Sequence, residues 1–290
     1  MNKGPWIAAP GTVEHEASTL ADTYLRVAAV CDALDARVLI HGDGMDGPAA
    51  HVLDGAELTE AHGALDSFVD ASTARIAARH GHTPRRDVAA SRALHDYLWS
   101  VSLLMSGAWY LDRRVPRVLP GDIRLNVTTG AIGIVPGQDF ACLSTDPAAG
   151  GAGALVVAHE EALRAELRAA VADFVRPLLA AIGPIARRGP RALWGMVADD
   201  LISGIWYLGR ALDQEERSVR AATELLPTEI PPFSGGAGFR RLTGRGGRRY
   251  PTRTRLGCCL YYTLAPEGQA CLTCPRTCDA ERLRRLDDEG

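Results

Sequence analysis

Hydrophobic positions recur at helical spacing over most of this chain. Apolar residues three and four positions apart predict amphipathic helices over residues 14–34, 87–111, 154–182 and 191–226. The second of these is apolar almost continuously after Tyr97, which predicts a central helix that is buried on most sides. A period of two occurs at 123–136, where Ile123, Leu125 and Val127 lead into a Thr-Thr-Gly turn, and this predicts a β-hairpin. The fold class expected is α+β, predominantly α-helical, with a small hairpin or sheet.

Turn-rich stretches suggest a division of the chain. Residues 1–145 are expected to form an N-terminal α+β lobe and residues 146–230 a helical lobe, and residues 231–290 form an Arg/Gly-rich segment followed by cysteines. A length of 290 residues allows either one large domain or two smaller ones. Pro177 is predicted to kink or restart the third helix.

Composition points to a globular protein, with 47% hydrophobic and 23% charged residues. The formal net charge of −3 gives no overall attraction to nucleic acid or to an acidic membrane surface. The first residues lack the apolar run of a signal peptide, and the longest apolar stretch, 97–111, is shorter than the roughly 20 residues that span a membrane. We therefore expect a cytoplasmic protein without a membrane span.

Basic residues are concentrated in one segment. Lys3 is the only lysine, so 31 of the 32 basic residues are arginine. Residues 230–266 contain no Asp or Glu. The arginines of this segment are Arg240, Arg241, Arg245, Arg248, Arg249, Arg253 and Arg255. This segment leads directly into the cysteines.

Five of the seven cysteines lie between residues 258 and 278. Cys258 and Cys259 are adjacent, eleven residues separate them from Cys271, and Cys274 and Cys278 follow after gaps of two and three residues. Thiolates are soft ligands that select zinc, copper(I) or iron–sulfur clusters, and clustered cysteines in a reducing compartment are more often metal ligands or redox groups than disulfides. The pattern predicts a metal site.

The spacing favours an iron–sulfur cluster and leaves zinc and a redox dithiol as alternatives. Only Cys271 and Cys274 have the two-residue gap of a zinc knuckle. The adjacent Cys258 and Cys259 direct their side chains to different sides of the backbone, which suits a larger inorganic core. A [2Fe-2S] unit with four thiolates carries a charge of about −2 when oxidised, which nearby guanidinium groups would stabilise.

Residues 255–278 resemble the C-terminus of the FhuF-type ferric-siderophore reductases. The similarity lies in an arginine followed by Cys-Cys-Leu-Tyr, a proline and then Cys-x2-Cys-Pro. The resemblance implies that Cys258, Cys259, Cys271 and Cys274 hold a [2Fe-2S] cluster. Two features depart from the family pattern, since the long gap has eleven residues where ten are expected and Cys278 is extra.

The resemblance implies an oxidoreductase that passes one electron to siderophore-bound Fe(III) and releases Fe(II) in the cytoplasm for iron assimilation. No catalytic residue beyond the cluster is expected. Glycines at 150–153 and 244–247 lack the strand and helix context of a dinucleotide site, so electrons are expected from a separate ferredoxin or flavin-dependent reductase. Arg248, Arg249, Arg253 and Arg255 are the predicted docking residues for that donor or for an acidic siderophore. We expect a monomer that binds no nucleic acid.

Two other functions remain open on sequence grounds. In the first, a structural zinc ion supports a nucleic-acid-binding protein whose arginine segment contacts phosphates. In the second, the protein binds or assembles siderophores without electron transfer. The metal content and the colour of the isolated protein distinguish these two functions from each other and from a ferric-siderophore reductase.

Overall fold

The structure, a computed structural model, describes residues 19–39, 45, 51–60, 63–264 and 269–289. Helices dominate this part of the chain: α1 (Ala21–Val30), α2 (Glu57–Glu60), α3 (Ala64–His80), α4 (Arg86–Asp112), α5 (Glu160–Ala186), α6 (Pro190–Ala211), α7 (Glu215–Leu225) and α8 (Asp279–Glu289). Among the described residues, nine short strands form three small sheets. The predicted α+β, predominantly helical class is confirmed.

Helix α4 is the centre of the fold. It packs against α1, α3, α5 and α6, and its buried residues include Leu94, Leu98 and Leu104. Gly107 allows α1 to approach closely, because a Cβ there would lie 2.8 Å from a methyl carbon of Val27. The central helix predicted at 87–111 is therefore confirmed, whereas the first predicted helix is shorter than expected and its residues 14–18 lie outside the described part.

The strands are β1 (Ala36–Val38), β2 (Val52–Asp54), β3 (Val115–Pro116), β4 (Ile123–Asn126), β5 (Ile132–Ile134), β6 (Phe140–Leu143), β7 (Ala154–Val157), β8 (Phe239–Thr243) and β9 (Arg249–Arg253). Their order is β1-β5-β4-β2 in one sheet and β3-β6-β7 in another, and β8 pairs with β9 alone. The antiparallel pairing of Ile123 with Ile134 confirms the predicted hairpin. Ile123, Leu125 and Val127 all lie in the core, as the alternation predicts.

The two C-terminal helical predictions need correction at their boundaries. Residues 154–157 form β7, and α5 begins only after His159, whose Nδ1 accepts a hydrogen bond from the backbone N–H of Ala162 at 3.1 Å. Helix α5 continues through Pro177, so the predicted restart is wrong, while the predicted kink stays a prediction. The stretch 191–226 is two helices, because Asp213 adopts a left-handed conformation with φ 54° between α6 and α7.

Helix α5 is long and apolar enough to cross a membrane by length and composition, a feature that the sequence analysis overlooked. Half of its most apolar window is buried inside the fold. Leu163, Leu167 and Ile182 belong to the same core cluster as the α4 leucines. Helix α5 therefore packs on the same core as α4 through these residues.

A single cluster of buried side chains includes residues from all three predicted segments. Leu98 comes from the first, Leu178 from the second, and Phe233 and Leu264 from the third. The C-terminal segment therefore packs on the helices that precede it. The division into lobes at 145 and 230 stays a prediction.

Candidate metal centre

The cysteine segment begins where strand β9 ends, and a buried aspartate of α6 fixes the connection. Asp199 accepts hydrogen bonds from the backbone N–H groups of Leu256 at 3.0 Å and Gly257 at 2.9 Å. Its side chain has no exposed surface. The backbone just before Cys258 is thus tied to the most buried face of α6.

Two consecutive aspartates of α6 balance two arginines of the hairpin end. Arg253 Nη2 donates to Asp199 at 2.6 Å, and Arg255 Nη2 donates to Asp200 at 2.5 Å. His95 Nδ1 lies 2.8 Å from the same Asp200 oxygen. Burial raises the pKa of Asp200, but His95 and Arg255 outweigh that effect and hold it below the ordinary carboxyl value. We call Asp199, Asp200, Arg253 and Arg255 the buried ion network.

The four predicted cysteine ligands come together as two pairs. The sulfur atoms of Cys258 and Cys274 are 3.8 Å apart, and the Cys271 thiol hydrogen-bonds to Cys259. Two thiolates bound to one tetrahedral metal ion at about 2.3 Å would also be about 3.8 Å apart. Each member of the adjacent pair therefore has a partner from the Cys271-x2-Cys274 turn.

An arginine of α8 holds that turn in place. Arg282 is 1% exposed and donates to the carbonyl oxygens of Leu272, Cys274 and Thr277 at 2.7, 3.2 and 3.0 Å. The exposed Cys278 precedes α8, and its carbonyl accepts from the backbone N–H of Arg282 at 2.9 Å. Cys278 therefore lies at the start of the C-terminal helix.

Cationic side chains from distant parts of the chain surround the adjacent cysteines. Arg92 of α4 places Nη1 at 3.2 Å from the Cys259 sulfur, and Arg188 donates to the Cys258 carbonyl at 2.5 Å. The hydrogen bond from Cys271, together with the charges of His95, Arg92 and Arg255, lowers the pKa of Cys259 to about 4. Cys259 is therefore set up as a thiolate, the form that binds metal. Sequence analysis missed Arg92, Arg188 and His95, which lie in helical or loop contexts with no motif of their own.

The arrangement of donors fits a two-iron cluster better than one zinc ion. Within the described residues, no group of three or more Cys, His, Asp or Glu side chains converges to hold a single ion. A structural zinc site needs four ligands around one point. Two sulfur pairs, Cys258 with Cys274 and Cys259 with Cys271, are what a [2Fe-2S] unit requires, with two thiolates for each iron.

The predicted docking arginines divide into two sets. Arg253 is fully buried and Arg255 is 7% exposed, so Arg253 has no surface with which to contact a partner, and its docking role is corrected to one in the buried ion network. Arg248 and Arg249 are exposed at the start of β9, and the Arg248 guanidinium lies 5.0 Å from the Tyr250 ring centroid.

The arginine-rich segment also gains acidic neighbours that its own sequence lacks. Arg240 pairs with Asp279 of α8, and Arg241 pairs with Glu216 of α7. The absence of local acids therefore does not leave this segment a continuous cationic surface, which removes much of the support for phosphate binding.

A cavity of about 690 Å³ opens beside the cysteines. Helices α3, α4 and α6 form its walls. Arg92, His95 and Arg255 line it, and so does Thr273, which lies between Cys271 and Cys274 in the chain. The cavity and the cysteine segment thus share a wall.

Comparison with known proteins finds a family match in the cysteine segment. No curated protein sequence matches this chain. Residues 255–276 match the family model described as the FhuF 2Fe-2S C-terminal domain, and Cys258, Cys259, Cys271 and Cys274 all lie inside that match. This confirms the resemblance predicted from the sequence: the chain carries a FhuF-type C-terminal domain, and its cofactor is a [2Fe-2S] cluster.

Proposed function

We propose that this protein is a ferric-siderophore reductase of the cytoplasm. A separate donor protein supplies one electron, siderophore-bound Fe(III) accepts it, and the resulting Fe(II) leaves the chelate for iron assimilation. The observation that carries the proposal is the pairing of four cysteines in a cationic wall beside an open cavity.

Cys258 and Cys274 would hold one iron of the cluster, and Cys259 and Cys271 the other. When bound, the cluster supplies one-electron transfer at a potential that depends on nearby charge, hydrogen bonds and exposure. No nucleophile or general base is needed, because the hard oxygen donors of a siderophore bind Fe(II) far less tightly than Fe(III).

The chain's own residues provide a stable, positively charged setting for the thiolates. Arg92 and Arg255 bring guanidinium groups towards Cys259, and Arg188 holds the Cys258 backbone. Such charges favour the more negative, reduced form of a cluster and so raise its reduction potential. Cys258 and Cys271 are partly exposed, which supports electron exchange near the surface.

The donor is proposed to be a ferredoxin or a flavin-dependent reductase. Arg248 and Arg249 are exposed on the β8–β9 hairpin and are the proposed contacts for an acidic donor surface. The protein is proposed to act as a monomer, without nucleic acid.

The visible and paramagnetic-resonance spectra, taken before and after dithionite, test the cofactor and its ligands. Cys258→Ser and Cys259→Ser are expected to lose the cluster spectrum and the release of Fe(II) from a ferric siderophore, trapped with a ferrous-specific chelator. Cys278→Ser is the matched control, because Cys278 is exposed and outside both pairs, and it should keep both signals. Retention of colour and Fe(II) release in Cys258→Ser or Cys259→Ser contradicts the proposal.

A further inference from the structure

The cavity beside the cysteine segment has the size of a small-molecule site. Its volume of about 690 Å³ lies within the usual range for ligand pockets, roughly 300–1,000 Å³. Residues on one stripe of α4 (Arg92, His95, Asp96, Trp99) and one stripe of α6 (Ser203, Trp206, Tyr207, Arg210) line it. Because these positions are three and four residues apart, each helix presents one continuous face to the cavity.

Positive charge is in excess on these walls. Arg75 and Arg79 of α3 and Arg92 and Arg210 of the other two helices line the cavity, against two carboxylates, Asp35 and Asp96. Arg255 also lines it, but Asp199 and Asp200 already balance its charge.

The four arginines are paired to different degrees. Arg92 forms an ion pair with Asp96 at 2.6 Å, and Arg210 lies 4.0 Å from Glu215. Arg75 donates to the Val127 carbonyl, and burial lowers the pKa of its guanidinium. Within the described part of the chain, neither Arg75 nor Arg79 forms an ion pair with a carboxylate. The cavity therefore presents charge that an anion can neutralise.

Aromatic rings supply the rest of the lining. Trp99 and Tyr207 meet edge to face with centroids 5.5 Å apart, and both are half-buried. A planar aromatic group can stack on such rings while its charged oxygens contact guanidinium groups.

Arg92 connects this cavity to the cysteines. Its Nη1 is 3.2 Å from the Cys259 sulfur, while the same guanidinium lines the cavity. A ligand in contact with Arg92 is thus separated from a cluster sulfur by a single side chain.

We propose that the cavity is the substrate site and that its substrates are anionic ferric chelates with aromatic catecholate arms, with Arg75, Arg79 and Arg210 as the anion-binding residues. This inference rests on the proposed function, because it names the substrate class of the same site. A neutral ferric chelate with hydroxamate arms offers these arginines no net charge and should bind more weakly.

Gallium(III) chelates test binding without electron transfer, because Ga(III) has the charge of Fe(III) but is not reduced. Titration calorimetry of the cluster-loaded protein should show at least about tenfold tighter binding for a Ga(III) tris-catecholate than for a neutral Ga(III) trihydroxamate. Arg79→Gln and Arg210→Gln should each weaken catecholate binding about tenfold, and Trp99→Leu about fivefold. Arg220→Gln, on the exposed face of α7 and outside the cavity, is the charge-matched control and should bind as the unmodified protein does.

Failure of this inference differs from failure of the reductase proposal. Equal binding of the two gallium chelates, or no effect of Arg79→Gln and Arg210→Gln, overturns the substrate site even where the reduced protein still releases Fe(II) from ferric chelates. Charge-selective binding that depends on these arginines supports the site. That result would stand even if the reduced protein failed to reduce every ferric chelate tested, an outcome that would contradict the proposed function alone.

Discussion

Strand β9 carries the same residue type at its two ends, in opposite environments. Arg248 and Arg249 are exposed at its start, whereas Arg253 and Arg255 are buried at and beyond its end. Only three residues separate Arg249 from Arg253, and both ends lack acidic neighbours in sequence. The difference comes from α6, whose Asp199 and Asp200 meet one end of the strand and not the other.

The position of an arginine in the fold therefore decides what that arginine does. Taking a charge out of water costs several kcal/mol unless a partner and hydrogen bonds compensate, so the buried arginines need both aspartates. The buried ion network joins α6 to the end of the hairpin and to the backbone before Cys258. His95 of α4 contacts the same network through Asp200. The exposed Arg248 and Arg249 carry no such cost, because their guanidinium groups stay in contact with water.

The largest effect is expected from removing the carboxylate that both the hairpin and the cysteine segment share. Asp199→Ala leaves Arg253 buried without its partner and frees the backbone before Cys258, so the free energy of unfolding should fall by about 3–5 kcal/mol. Denaturant unfolding followed by circular dichroism measures the loss. Glu229→Ala removes the exposed carboxylate that faces Arg191 and is the control, with a change below about 0.5 kcal/mol. Equal stability of the two variants would show that the buried ion network contributes nothing.

An intermediate effect, on the reduction potential of the cluster, is expected at Arg92. This arginine is only partly buried and contacts the Cys259 sulfur. Arg92→Gln should keep the cluster and lower its midpoint potential on the order of 60 mV, the one-electron equivalent of a tenfold change in equilibrium. A redox titration followed by paramagnetic resonance measures the potential. Arg86→Gln, which removes an exposed charge on the same helix, should leave it unchanged. An unaltered potential in Arg92→Gln would rule out electrostatic tuning by this residue.

The contribution of the buried Asp200 to the free energy of unfolding should depend on pH. Since the folded-state pKa of Asp200 is lowered, its contribution to stability is full above its unfolded value, about pH 3.9, and declines as the pH falls below that. Asp200→Asn should therefore be less stable than the unmodified protein at pH 7, and the gap should narrow near pH 3. Denaturant unfolding of both proteins at the two pH values measures the gap. A gap that is constant with pH would contradict an ionised Asp200.

The smallest effect on stability is expected at the exposed end of β9. The double variant Arg248→Gln, Arg249→Gln should change the free energy of unfolding by less than about 0.5 kcal/mol. Turnover with a protein donor should nevertheless require more donor and depend less on salt, while turnover with dithionite stays the same. Steady-state kinetics over a range of ionic strength makes the measurement. Identical kinetics with the protein donor would exclude docking at this end of the hairpin.

Local patterns predicted several elements well. The period-two alternation at 123–136 gave the β4–β5 hairpin, and the nearly continuous apolar run after Tyr97 gave α4. The predicted start of α5 was wrong because Ala154–Val157 pairs with β6, whose residues lie fourteen positions upstream, and local periodicity does not reveal that pairing. Pro177 lies inside α5, where packing of Leu163, Leu167 and Ile182 outweighs the missing hydrogen bond.

The cysteines of the candidate site could be recognised in the sequence, whereas the residues that surround them could not. Thiol chemistry and cysteine spacing are properties of one short stretch, so Cys258, Cys259, Cys271 and Cys274 were visible in the sequence. Arg282 carries no signal of this kind, and only the fold shows that it binds the carbonyls of the Cys271–Cys274 turn.

The sequence by itself determined the cofactor type, because residues 255–276 match the FhuF 2Fe-2S C-terminal domain. Cysteine spacing alone left zinc and a redox dithiol as alternatives. Only the tertiary structure decided how the thiolates pair, which arginines are buried and where the cationic cavity lies. These features depend on side chains from α3, α4 and α6 that are brought together by burial of a shared core, and long-range packing of this kind leaves no local pattern in the chain.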